Sequence, residues 1–253
     1  LYVALSPDGE NAYVVGAECD SIVYWDRDTA TGALSNQVNL IDSTNLDNPR
    51  CVIVSPDGKN VYATGMNSDS IVHWDRDSST GALSNQINLI DSTNLDGIRS
   101  VAIAPDGKNV YTVNQESHTI VYWNRDANTG ALTNQVNLKD DTNLDLAFFV
   151  AVSPEGMSVY AAGSGSDSIV HWDRDTTTGV LSNQVNMKDN TNLDNVRMVV
   201  VSPTGSNVYA IARDSESLIS WDRSSVDTCS TFACGTGYSV SNPDTVCATV
   251  GCD

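Results

Sequence analysis

Tryptophan recurs at a fixed interval: Trp25, Trp74, Trp123, Trp172 and Trp221 stand 49 residues apart, and Pro7, Pro56, Pro105, Pro154 and Pro203 keep the same spacing. A period of this length marks a chain built of repeated supersecondary units. The copies agree closely, since Ser6–Val54 laid on Ser55–Ile103 gives 33 identities in 49 positions. In the third copy Ser100–Ala104 is a β-branched run, Pro105-Asp106-Gly107-Lys108-Asn109 is a turn, and Val110–Asn114 is a second strand. Gln115–His118 turns the chain into Thr119–Arg125, Asp126–Gly130 turns it again, and Ala131–Leu138 alternates apolar and polar residues. No segment carries a sustained helical stripe, so the fold class is all-β. Four strands in each repeat of this length predict a β-propeller of four-stranded blades. A stacked solenoid, with shorter repeats and one strand per wall, fits less well.

The blades read as 1–49, 50–98, 99–147, 148–196 and an incomplete 197–223, making a propeller over 1–223. After Arg223 the composition shifts, and Cys229, Cys234, Cys247 and Cys252 fall among Thr, Ser and Gly in a tail over 224–253. Cys229 to Cys247 and Cys234 to Cys252 are both 18 residues, which reads as part of a second, Cys-rich repeat stapled by disulfides. Cys19, between the second and third strands of blade one, and Cys51, at the start of the innermost strand of blade two, are expected on one propeller face as a third disulfide. Paired cysteines imply an oxidising compartment, hence an extracellular or cell-surface location. The fifth blade lacks its outermost strand. The expected supplier is a segment before Leu1, with a strand from the tail second. The opening Leu1-Tyr2-Val3 reads as a processed, trimmed or partial start.

The 253 residues carry 13 Lys+Arg against 32 Asp+Glu, a net charge of −19 with no basic cluster, which excludes a nucleic-acid partner. No apolar run approaches the roughly 20 residues of a membrane span, so membrane insertion is not expected. The turn Asp26–Gly32 and its copies open like a calcium loop, but the later ligands and a closing Glu are missing. A hairpin turn with Gly at positive φ accounts for it, and neither a metal nor a cofactor is expected. Each Trp has an Arg two positions on (Arg27, Arg76, Arg125, Arg174, Arg223), so a cation–π contact within each blade is expected, with the Tyr series 13, 62, 111, 160, 209 as further blade cement.

Ser55-Pro56-Asp57-Gly58-Lys59-Asn60-Val61-Tyr62, followed by Ser68–Val72 and Thr80–Leu83, resembles the lactonase-like propeller family with YVTN-type repeats. The Trp-Asp pair ending the third strand is similar to WD40 blades, though the Gly-His element of that family is missing. The resemblance covers Leu1 to about Arg223. It implies the propeller fold and leaves function open, because such propellers include lactonases, surface-layer proteins and binding modules. Family members usually have seven blades. A ring of five is nevertheless favoured, because absent blades would leave a long exposed edge, and part of a seven-bladed ring is the alternative.

The blade connections share a face with the loops between second and third strands. There Arg50, Arg99 and Arg197 enter the innermost strands near the channel mouth, as a partial ring for an anion interrupted by Phe148. The favoured structural account pairs each Arg with the Asp three residues earlier: Asp47, Asp96 and Asp194. His118 lies in such a loop and is the one histidine placed for a site, while Glu18, Glu116 and Glu216 are the sparse Glu residues of these loops. No Ser-His-Asp order, phosphate loop or metal-ligand spacing appears. Near-identical blades argue against catalysis, which needs blades that differ. The sequence therefore reads as a non-catalytic extracellular structural, adhesion or protein-interaction module of a larger multidomain protein. Its partners would be other protein subunits or cell-surface and matrix components, with glycans as a further possibility. A lectin-like carbohydrate-binding propeller is the first alternative, and a lactonase-like hydrolase working at the channel mouth the second.

Overall fold

The computed structural model describes residues 2–223 and the short strand Ser239–Val240. Blade one is β1 (Tyr2–Leu5), β2 (Asn11–Gly16), β3 (Ser21–Arg27) and β4 (Leu34–Ile41). Blade two is β5 (Pro49–Val54), β6 (Asn60–Gly65), β7 (Ser70–Arg76) and β8 (Leu83–Ile90). Blade three is β9 (Ile98–Ile103), β10 (Asn109–Asn114), β11 (Thr119–Arg125) and β12 (Leu132–Lys139). Blade four is β13 (Ala147–Val152), β14 (Ser158–Gly163), β15 (Ser168–Arg174) and β16 (Leu181–Lys188). Blade five is β17 (Val196–Val201), β18 (Asn207–Ala212), β19 (Ser217–Asp222) and β20 (Ser239–Val240). Every sheet is an antiparallel meander in chain order, the four-stranded blade that the repeat predicts.

Burial follows from stacking blade on blade. β6, β10 and β14 are buried at every position because a neighbouring blade covers each face, whereas the outer strands β4 and β8 are largely exposed and carry the Asn and Gln residues. The second expected supplier completes blade five: β20, from the tail, pairs Val240 with Ile219 and Ser239 with Ser220. Its four cysteines lie outside the described residues.

Each seam between blades is held by a repeated polar latch. At the first, the Tyr13 hydroxyl donates to Gly81 O at 2.8 Å and accepts from Arg76 Nε at 2.9 Å. Arg76 Nη2 reaches back to Asp8 at 2.9 Å and Asn11 at 2.5 Å, while Nη1 binds Gly58 O in its own blade at 3.0 Å. Arg125 repeats this with Tyr62, Asp57 and Asn60, and Arg174 with Tyr111, Asp106 and Asn109. At the fourth seam Arg223 meets Glu155 and Ser158 and lies 5.8 Å from the Tyr160 ring centroid. Arg76, Arg125, Arg174 and Arg223 are thus cement between blades rather than the expected partners of their own Trp, while Arg27 binds Gly9 O within blade one. A bulge falls at the Trp position, where the register shifts between Tyr122 and Asn124. The indole N–H groups of Trp74, Trp123 and Trp172 instead bind Gln86, Gln135 and Gln184 on the outer strands.

The five blades do not close on themselves. β1 packs on β5, β5 on β9, β9 on β13 and β13 on β17, and among the described residues no comparable packing joins β17 to β1. Val3 on blade one is 60% exposed, and Tyr209 and Leu218 on blade five are 36% and 55% exposed, although their counterparts Val52, Tyr62 and Ile71 are buried. The described residues therefore form an open arc of five blades, with apolar side chains exposed at each end, in place of the favoured closed ring.

The expected Cys19–Cys51 disulfide is absent: both thiols are free, Cys19 exposed and Cys51 buried. Cys51 points into the seam with blade three, packed among Ile98, Val101 and Trp123, with its thiol toward Val101 O. Tyr2 of blade one also hydrogen-bonds to it, and burial pushes the thiol up to about 11. The inference from this pair to an oxidising compartment loses its support.

Candidate functional site

The innermost strands carry their own irregularity. Opposite β10, Ser100 faces Val113 and Ile98 faces Asn114, so Arg99 has no partner in the ladder. Phe148 is bypassed in the same way between Ala147 and Phe149, and Arg197 between Val196 and Met198, while the shift in β5 spans Arg50. These four equivalent residues are bulged positions, and a bulge re-aims its side chain. At the channel mouth the result is a stack: the Arg99 and Arg197 guanidinium carbons lie 4.3 and 4.4 Å from the Phe148 ring centroid. Phe148 therefore bridges the arginines rather than interrupting them. Burial, then the charges of Arg50 and Arg197, bring Arg99 down to about 10, so the three predicted arginines share one electrostatic neighbourhood and Arg99 stays protonated at neutral pH.

The expected Arg–Asp pairs within each connection are not formed. Arg50 Nε meets the Met66 sulfur at 3.3 Å, and Arg99 Nε donates to Gln115 Oε1 at 2.6 Å. Arg197 Nε is buried and finds no acceptor among the described residues. The equivalent of Met66 and Gln115 in its blade is Arg213, which has nothing to accept with. Asp47 binds Asn67 Nδ2 at 3.1 Å instead.

His118 occupies a place held by Asp in three other blades. Asp20, Asp69 and Asp167 each accept a backbone N–H from the next connection, at Asn48, Gly97 and Asn195. His118, at φ 54°, does not make that bond and places Nδ1 3.2 Å from Asp145 Oδ1. The two are close without being aligned for a hydrogen bond. Gly165 leaves the room this needs, because a Cβ there would lie 2.6 Å from Asp145 Oδ2. In blade two the same place holds Asn67, which ties up the corresponding aspartate.

Beside this pair opens a cavity of about 440 Å³ bounded by Arg99, Gln115, Leu146, Phe148, Asp194 and Arg197 among others. No group of three metal-ligating side chains occurs among the described residues. The arrangement offers a base with a carboxylate behind it and a guanidinium edge without an acceptor. Such a set can activate water and receive charge on a carbonyl oxygen.

A family profile described as Lactonase, 7-bladed beta-propeller, matches residues 2–94 and 82–148. The chain belongs to this family. Among solved structures, this lactonase-family propeller is similar to a candidate 6-phosphogluconolactonase of Bacteroides uniformis, at 19% identity and TM-score 0.65 over 89% of this chain and 81% of that one. It is also similar to a Lactobacillus plantarum protein, at 22% identity and TM-score 0.72 over 88% and 67%. A periplasmic gluconolactonase of Pseudomonas aeruginosa matches at 17% identity and TM-score 0.73 over 88% of this chain and 66% of that one. No curated protein matches.

Membership of a lactonase family, with neighbours named as gluconolactonases, overturns the non-catalytic expectation. The reasoning from near-identical blades failed because the differences are not spread evenly. They gather at the channel mouth, in the sets Arg50, Arg99, Phe148, Arg197 and Met66, Gln115, Ser164, Arg213, and in the exchange of Asp for His118. Asp145, Gly165, Gln115 and Leu146 were missed. Reading the aligned copies for positions that differ, rather than for overall identity, would have found the last three.

Proposed function

We propose that the protein hydrolyses a lactone at the channel mouth. His118 takes a proton from water as the water oxygen attacks the lactone carbonyl carbon, and the Asp145 carboxylate, 3.2 Å from Nδ1, stabilises the charged imidazole. Arg197, with Arg99 behind the Phe148 ring, receives the negative charge that develops on the carbonyl oxygen. The ring C–O bond then breaks, the ring oxygen takes the proton from His118, and a hydroxy acid leaves.

The observation that supports this reading is that Arg99, Gln115, Phe148 and Arg197, positions at which the blades of this lactonase-family chain differ, line one cavity, with the His118–Asp145 pair adjoining it at Gly165. The test is ring opening followed by acid release, wild type against His118→Ala. General-base loss costs typically 10²–10⁴-fold, so kcat should fall by about a hundredfold or more with the melting temperature held. Full activity in the variant overturns the assignment of His118.

A further inference from the structure

Two arginines share the Phe148 ring, 4.3 and 4.4 Å from its centroid, and the blades hold them in opposite ways. Arg99 Nε donates to Gln115 Oε1 at 2.6 Å. Gln115 is held in turn, because its Nε2 donates to Glu116 Oε1 at 3.0 Å, which turns the carbonyl end of the amide toward Arg99. In blade two the same repeat position, Met66, offers a sulfur to Arg50 Nε. In blade five it is Arg213, a side chain of donors alone. Arg197 Nε is accordingly buried without an acceptor among the described residues.

A buried donor left unpaired in a native structure calls for a reason. Burial, then the charge of Arg213, draw Arg197 below the usual arginine range, with Asp214 opposing them. Arg213 itself is exposed, its Nε 3.7 Å from Asp214 Oδ1. It therefore adds positive potential beside Arg197 and supplies nothing to accept from it. A carbonyl dipole at that place would do the reverse, setting its negative end against the guanidinium as Gln115 does for Arg99. In a partly buried site such a dipole offsets charge that would otherwise act on a bound oxygen.

We infer that Arg213 is a positioning residue that acts through Arg197: by withholding an acceptor it keeps the Arg197 charge uncompensated for the oxygen that becomes negative during ring opening. The inference rests on the hydrolase reading and deepens it, assigning the residue that sets the strength of its charge-receiving group.

The experiment compares Arg213→Lys, Arg213→Ala and Arg213→Gln with the wild type on δ-valerolactone and glucono-δ-lactone, each rate corrected for spontaneous opening. Lys keeps a charge and has no acceptor, Ala removes the charge, and Gln removes it and supplies the acceptor that blade three uses. The loss in kcat should rise in that order and reach roughly tenfold for Arg213→Gln, part of the 10²–10³-fold that outright removal of one charge-receiving donor costs. KM should move little, since the charge develops only in the transition state. A merely structural role reverses the order of the last two, because Gln replaces a long polar side chain better than Ala. Nuclear magnetic resonance of the arginine Nε–H groups reads the geometry apart from turnover: Arg213→Gln should move the Arg197 signal toward that of Arg99. An unmoved signal, or a larger loss for Arg213→Ala than for Arg213→Gln, overturns the inference while leaving the hydrolase reading intact. Failure of the wild type to open either lactone overturns that reading, and this inference with it.

Discussion

Equivalent arginines in blades one and two offer an internally controlled measurement of what a seam contributes. Arg76 and Arg27 occupy the same repeat position, and each binds a carbonyl in its own blade, Gly58 O at 3.0 Å and Gly9 O at 2.9 Å. Only Arg76 has a preceding blade to reach, and it adds bonds to Tyr13, Asp8 and Asn11 with its side chain fully buried. Its partner Asp8 is only part-buried. Burial works against the Asp8 charge, yet the Ser6 hydroxyl, the Glu10 N–H and Arg76 hold that carboxyl below its usual range. Arg76→Ala removes four hydrogen bonds, which at about 1 kcal/mol each is about 3–5 kcal/mol, whereas losing one bond at a half-open end costs about 1 kcal/mol. Arg76→Ala should therefore be less stable than Arg27→Ala by roughly 2–4 kcal/mol. At about 2–4 °C per kcal/mol for a domain of this size, the melting temperatures should differ by roughly 5–15 °C. Calorimetry and urea titration of the two variants, side by side with the wild type, give the number. Equal losses would refute the assignment of the latch as what holds one blade to the next.

Two further outcomes follow from buried groups. His171 is buried, which depresses its imidazole to about 4; an unfolded histidine titrates near 6.5, so the unfolded chain binds this proton first and stability falls as pH drops from about 6.5 toward 4. His171→Tyr, which copies the residue of Tyr24 and Tyr122, should recover on the order of 3 kcal/mol of the loss at pH 4, read by urea titration across that range; an unchanged pH dependence would count against it. Cys19 should be alkylated in the native protein and Cys51 only after unfolding, as peptide mapping would report, and a Cys19–Cys51 cross-linked peptide would contradict the fold described.

The 49-residue period carried the blade, its strand order and its turns, because strand alternation and turn chemistry are local. The partners of the latch were not legible: the alternation that puts Arg76 on the same face as Trp74 does not say that a neighbouring blade offers Tyr13. Cys51 was misjudged for a related reason. The sequence places it on the correct end of the propeller, but the register shift between Pro49 and Val52 decides which seam its thiol enters. The same kind of shift exposes Arg99, Phe148 and Arg197, and a bulge leaves no mark in a period of two. His118 was legible as a candidate; its carboxylate partner was not, because Asp145 differs from its counterparts only through the missing side chain at Gly165.

The open arc has a consequence for how the molecule comes apart. Among the described residues four latched seams join five blades in a row, so the stability they give is a sum of neighbour terms. Among the described residues blades one and five have one seam each to lose, whereas blades two, three and four must each break two. His118 and Asp145 flank the junction of blades three and four, so the proposed chemistry sits on the part of the row that opens last, and unzipping from either end reaches the base only after a whole blade has been released.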